Sequence, residues 1–151
     1  MAYYKPARLI MTQPVVFEKA EFWYDQGILF IKFLNKDRRH AMTLDSMKDY
    51  VDTIIKLCNG RPSPFLIDMS EAVGNYSIAS ARYYGRNEAL SRVHLGDAFV
   101  ANGITAKLTI RSFKRIFDSK APYRIFSNKE EAINHCMGVI EQKEISPALT
   151  N

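Results

Sequence analysis

The residues best suited to chemistry in this chain fall in one stretch, residues 65–85, reading FLIDMSEAVGNYSIASARYYG. An apolar strand ending at Asp68 leads into a polar loop, and a helix opens near Ser77. This order gathers Asp68, Ser70, Glu71, Asn75, Tyr76, Ser77 and Arg82 at one end of a sheet. Free backbone amides at the start of a helix bind anions, and Arg82, one turn deeper, would add charge and hydrogen bonds. Tyr84 joins Arg82 on an edge that a partner could meet. The same residue types also serve purely local ends: Ser77 as a helix cap, Asp68 as acceptor for the adjacent loop, Arg82 as partner of an acid.

A second candidate lies further on. On a helical wheel, Ala106, Ile110, Phe113 and Phe117 fall on one side, whereas Lys107, Arg111, Lys114 and Arg115 are expected opposite, with Ile104 and Leu108 at the edge of the basic face. Such a helix can meet an anionic membrane surface or an acidic partner, or simply present a solvated face. The loop Lys36 to His40 adds a further basic spot. Binding of nucleic acid would require basic residues interleaved with exposed aromatics on one surface. Tyr83 and Tyr84 are candidates, but the basic spots are scattered and no recognised motif accompanies them, so nucleic acid is disfavoured.

Enzymatic chemistry has little support. His40, His94 and His135 show no metal-ligand spacing, and Cys58 and Cys136 fall on core faces, where a thiol is a small hydrophobe. Gly74 and Gly85 stand alone, without a phosphate loop or dinucleotide fingerprint. No catalytic residue, metal or cofactor is assigned, and a non-enzymatic role is expected.

The elements that must position these residues follow from periodicity. A loose arm is expected over 1–14, one domain over 15–143 and a frayed tail over 144–151. Val15 to Tyr24 and Ile28 to Leu34 read as strands joined by Asp25-Gln26-Gly27. Thr43 caps a helix that carries Leu44, Met47, Val51, Ile54, Ile55 and Cys58 on one face and closes at Gly60. The strand 65–69 comes next, then a helix from about Ser77 to Arg92, whose stripe of Ile78, Ala81, Gly85 and Ala89 allows close approach of a sheet or of another chain. A strand over 98–101, a helix over about 104–118 and a strand over 123–126 follow, before a last helix opened by a capping box of Ser127 and Glu130. Alternation after an opening hairpin predicts a mostly parallel sheet with right-handed crossovers.

Composition sets the outer limits. The 151 residues are 47% hydrophobic and 25% charged, enough for one folded core without metal or disulfide staples. No apolar run approaches a membrane span, the N-terminus lacks the apolar core of a signal peptide, and two widely spaced cysteines suit a reducing compartment, so a cytoplasmic location is expected. The net charge of +5 permits an acidic partner, RNA or an anionic surface, and is also ordinary for solubility.

In its element order the chain resembles the SpoIIAA-like, or STAS-like, group, which includes anti-sigma-factor antagonists and cytoplasmic domains of anion transporters. It is most similar to small bacterial SpoIIAA-like proteins described as STAS/SEC14-related. The residues that carry the likeness are the opening hairpin, Leu66-Ile67-Asp68-Met69-Ser70, Ala81-Arg82-Tyr83-Tyr84, and Pro122-Tyr123-Arg124-Ile125-Phe126 leading to Glu130-Glu131-Ala132. The resemblance implies an α/β fold with a mixed sheet of about five strands, an N-terminal β-hairpin and about four helices. In the antagonists an Asp-Ser-Ser-Gly-like motif opens the helix after the central strand and a partner kinase phosphorylates its serine. Here Tyr76-Ser77-Ile78-Ala79-Ser80 stands in that place, with Ile78 near the phosphoacceptor position, so that switch is not expected in its usual form, and Ser77 or Ser80 could serve only in another register. The function implied is a regulatory or protein-interaction domain that engages an unknown protein partner, or a second copy of itself as a homodimer, through the 70–85 edge. The alternative is a carrier of a small apolar or lipid-like ligand, suggested by the SEC14-related description and the abundance of aromatics, with peripheral membrane contact through the basic helix.

Overall fold

The structure, a computed structural model, describes residues 11–150, with side chains described through residue 145. The first ten residues of the expected arm lie outside the described residues. Six strands form one sheet in sequence order: β1 (Val15–Val16), β2 (Ala20–Asp25), β3 (Ile28–Phe33), β4 (Ser63–Asp68), β5 (His94–Val100) and β6 (Tyr123–Phe126). The helices are α1 (Leu44–Cys58), α2 (Ile78–Arg86), α3 (Glu88–Ser91), α4 (Ile104–Phe117) and α5 (Lys129–Thr150). β1, β2 and β3 pair antiparallel, and β3 through β6 pair parallel. This is the mixed α/β architecture that the sequence predicts, with one more strand and one more short helix.

The extra strand comes from a tight turn inside the expected Val15 to Tyr24 run. There Phe17 N donates to Ala20 O at 2.8 Å and folds β1 back on β2. Gln26 and Gly27, at φ 54° and 87°, make the two-residue turn between β2 and β3, in the left-handed conformation that suits a hairpin's twist. Pro64 sits inside β4, a central strand, because the register shifts between Ser63 and Pro64 and no ladder donor is demanded there. The helix expected over 77–92 is two: α2 ends at Arg86, and Asn87 then caps α3 by accepting from Leu90 N at 2.8 Å. Asn128, rather than Ser127, caps α5, accepting from Glu131 N at 2.9 Å.

Strand alternation sends two apolar sets to opposite faces. Phe22, Leu29, Ile31, Phe65, Ile67 and Phe99 face α1, α2 and α4, and form the larger core with Met47, Val51, Ile54, Tyr84 and Ile110. Ile28, Phe30, Leu66, Ala98 and Val100 face the other way and are covered by Ala132, Cys136, Ile133 and Ile140 of α5. Successive right-handed crossovers in one direction put the first three main helices on one face. The other face is left to the C-terminal helix.

The small-residue stripe of α2 is used within the chain. Gly85 lies so close to the C-terminal end of α4 that a Cβ there would come within 1.7 Å of the Phe117 carbonyl oxygen. Ala81 is fully buried, whereas Ile78 and Ala89 are exposed.

Candidate functional site

Two features converge on the helical face of the sheet. The first is a cavity of about 400 Å³ between α1, α4 and the sheet. Its walls are mainly apolar: Phe22, Tyr50, Phe99 and Phe113 stand with Met42, Met47 and Met69 and with aliphatics such as Ile31 and Ile67. The loops after β3 and β4 frame its mouth and are tied to each other. Val73 N donates to Asn35 O at 2.8 Å, Met42 N to Asn75 O at 3.0 Å, and Ser77 N to Met42 O at 3.0 Å. Charged groups of the lining, Glu18, Lys19, His40 and Asp49, belong to exposed or half-buried positions, whereas Tyr84 and Asp97 border the cavity from the buried core.

The second feature is a buried ionic network behind that inner wall. Lys114, only 2% exposed, donates to Asp97 Oδ2 at 2.6 Å and to Asp118 Oδ2 at 2.8 Å. His94 Nε2 lies 2.6 Å from Asp97 Oδ1. The imidazole stacks on Phe65 at 4.3 Å between ring centres and meets Tyr84 edge-on at 6.1 Å. Burial alone pushes the Asp97 carboxyl up, but His94 and Lys114 outweigh it and hold Asp97 below the usual carboxylate range. For Asp118 burial wins over the Lys114 hydrogen bond, and its carboxyl rises. Burial, reinforced by Asp97 and Asp118, pushes the Tyr84 phenol well above its ordinary value, so its hydroxyl stays a neutral donor.

His94, Asp97 and Asp118 bring three ligand-capable atoms within 4.8 Å of one another. The Lys114 ammonium bonds both carboxylates and so takes the place a cation would occupy in that cluster. The arrangement neutralises charge inside the core. Both Asp97 oxygens are engaged, which leaves that carboxylate poorly placed to act as a base.

The family described as "Domain of unknown function (DUF7793)" matches residues 22–139. The chain belongs to the DUF7793 family. The matched span contains the whole ionic network and most of the cavity wall. Among solved structures, this DUF7793 chain is similar to an uncharacterised DUF3478-family protein from Shewanella loihica PV-4, described as having a SpoIIAA-like fold. The identity is 14% and the TM-score 0.49, over 83% of this chain and 93% of that one. Comparison with curated proteins gives no match.

The residues singled out in the DUF7793 sequence do not form one cluster. Asp68 Oδ1 accepts from Ser70 N at 2.9 Å and Ser70 Oγ at 2.6 Å, closing a local turn. Asn75 donates to the Arg38 carbonyl and lines the cavity. Tyr76 also lines it, and packs edge-on against Phe113 at 5.3 Å and Phe117 at 5.8 Å. Ser77 caps α2, accepting from Ser80 N at 3.1 Å, and Ser80 is fully buried. Arg82 is exposed and has no acidic partner among the described residues, while Tyr84 points inward rather than along an outer edge.

On α4 the basic face is smaller than the wheel suggests. Arg111 and Arg115 are exposed and Lys107 is half-buried, but Lys114 is a core residue. It stands one turn beyond buried Ile110 and one turn before Asp118, so the spacing already carried the signal. The apolar run alone starts this strand at Ala98 and leaves His94 and Asp97 in a loop, whereas β5 begins at His94.

Proposed function

We propose that this DUF7793 chain binds a small, mainly apolar molecule in the cavity between α1, α4 and the sheet. The observation that carries this reading is the cavity itself, about 400 Å³ and walled by aromatic and methionine side chains. That volume falls within the roughly 300–1,000 Å³ typical of ligand pockets, which are apolar with a few polar groups fixing orientation. Methionines adapt their shape at little cost, which suits a family of related ligands. The role is one of carriage or sensing rather than turnover, because the ionic groups beside the cavity already satisfy one another. Native mass spectrometry of freshly purified protein tests it. A retained ligand, displaced in an Ile67→Trp variant that fills the cavity, supports the reading. Wild-type protein that carries no extra mass and takes up no apolar compound would refute it.

A second reading concerns the outer surface. Ile104 is 77% exposed and Leu108 57%, beside Lys107, Arg111 and Arg115. On α2, Ile78 is 59% exposed and lies on the same stripe as Arg82 and Arg86. Neither helix contains an acidic residue. Aliphatics among unopposed cations suit an anionic lipid surface, on which the carrier would load or unload. Flotation with phosphatidylserine vesicles should fail when Lys107, Arg111 and Arg115 are changed to glutamate, and unchanged flotation would remove this face from consideration. Among the described residues no helix is long and apolar enough to cross a membrane.

A further inference from the structure

We infer that the molecule held in the cavity carries an uncharged oxygen acceptor, a carbonyl, ether or hydroxyl, and that the Tyr84 hydroxyl binds it at the inner end. This rests on the cavity being a ligand site and names the chemistry of what it holds.

Tyr84 is 9% exposed, its ring fixed between His94 and Phe113, and it borders the cavity beside Asp97. No hydrogen bond engages its hydroxyl among the described residues, yet no side-chain nitrogen or oxygen there is both fully enclosed and unpartnered. The hydroxyl is therefore not fully enclosed, and Tyr84 is one of the residues that line the cavity. A phenol in such a place is stabilised by an incoming acceptor, since an enclosed polar group without a partner is costly.

Its neighbours decide the acceptor's charge. Asp97 Oδ1 is held by His94 and Oδ2 by Lys114, so the carboxylate does not compete for the Tyr84 proton. Lys114 is shared by Asp97 and Asp118, and His94 is bonded to Asp97, so each of these basic groups at this end of the cavity is already engaged by an acid. The lining cation Lys19 belongs to the half-buried segment between β1 and β2, not to the core that holds Tyr84 and Asp97. A carboxylate ligand placed against Tyr84 would be a further negative charge beside Asp97, whose two partners are already committed. A neutral oxygen on an apolar body meets every group present.

The test is calorimetric titration of wild type and Tyr84→Phe with an alkyl phenyl ketone, the alkylbenzene of the same chain length and the matching carboxylate. Wild type is expected to bind the ketone more tightly than the hydrocarbon, and the carboxylate least. Tyr84→Phe should lower ketone affinity by roughly threefold to tenfold, the worth of one neutral hydrogen bond, and leave the alkylbenzene unchanged, which also shows that the variant is folded. Equal loss for ketone and hydrocarbon, no loss for the ketone, or tightest binding of the carboxylate would overturn the inference while the cavity remains a ligand site. Wild-type protein that binds none of the three would overturn the cavity reading and this inference with it.

Discussion

Lys114 of α4 and Asp97 of β5 form an ion pair of 2.6 Å between side chains that are 2% and 1% exposed. The pair fixes the C-terminal half of α4 on the sheet and forms the polar backing of the cavity's inner wall. Enclosed charges of this kind add little net stability when satisfied, but they are costly to break singly. The cavity's floor is therefore held by a contact that tolerates paired replacement better than single loss.

Replacing Lys114 with methionine leaves Asp97 and Asp118 enclosed without their ammonium. Destabilisation of about 3–5 kcal/mol is expected, read as a lower midpoint in urea at unchanged slope. A double variant, Lys114→Met with Asp97→Leu, should recover part of that loss, because one of the two stranded carboxylates is gone.

The two aspartates give opposite pH signatures. Asp97 has a folded pKa below its ordinary value of 3.8, so its contribution is present above that value and is lost as pH falls through the folded one. Asp118 is raised above 3.8, so its ionisation opposes folding, and stability falls as pH rises from 3.8 through the raised value. Denaturant series at several pH values should show the stability gap between wild type and Asp97→Asn narrowing below about pH 3.8. For Asp118→Asn the difference should change in the opposite sense, above 3.8.

Two glycines separate close packing from helix propensity. Gly85→Ala would drive a Cβ to 1.7 Å from the Phe117 carbonyl oxygen, a backbone atom that cannot rotate away. A loss of about 2 kcal/mol or more is expected, in the upper range for overpacking. Gly138 in α5 is exposed, and a Cβ added there would meet nothing within 4 Å, so Gly138→Ala should stabilise by about 0.5–1 kcal/mol. Paired thermal melts check both signs.

Burial pushes the Cys58 and Cys136 thiols up to about 12. At pH 8 only about one in ten thousand is then thiolate. Alkylation of native protein should be slow and should accelerate with denaturant in step with unfolding. Rapid labelling of either cysteine in buffer would contradict their placement in the two cores.

Much of the fold was legible because local chemistry and tertiary role agree. Thr43 and Ser77 precede apolar helical runs and cap them, and Gln26-Gly27 turns a hairpin. At α5, Ser127 and Asn128 are both suitable caps by type, and it is Asn128 that accepts from Glu131 N. The network was harder to read. Lys114 is a surface residue by type, and it becomes a core residue only because β5 extends back to Asp97 and places a carboxylate beneath it. The cavity leaves no local signature, since it arises from how far α1 and α4 stand apart over the sheet. Its aromatic and methionine walls read equally well as ordinary core.

The most direct test uses those walls. With methyl-labelled methionine, the signals of Met42, Met47 and Met69 report the cavity, while Met11 and Met137 are exposed and serve as references. Titration with the alkyl phenyl ketone should shift the three cavity methyls together, saturating at one ligand per chain, and leave the references in place. Cavity methyls that stay fixed at ligand excess, or shifts confined to Met11 and Met137, would contradict the account.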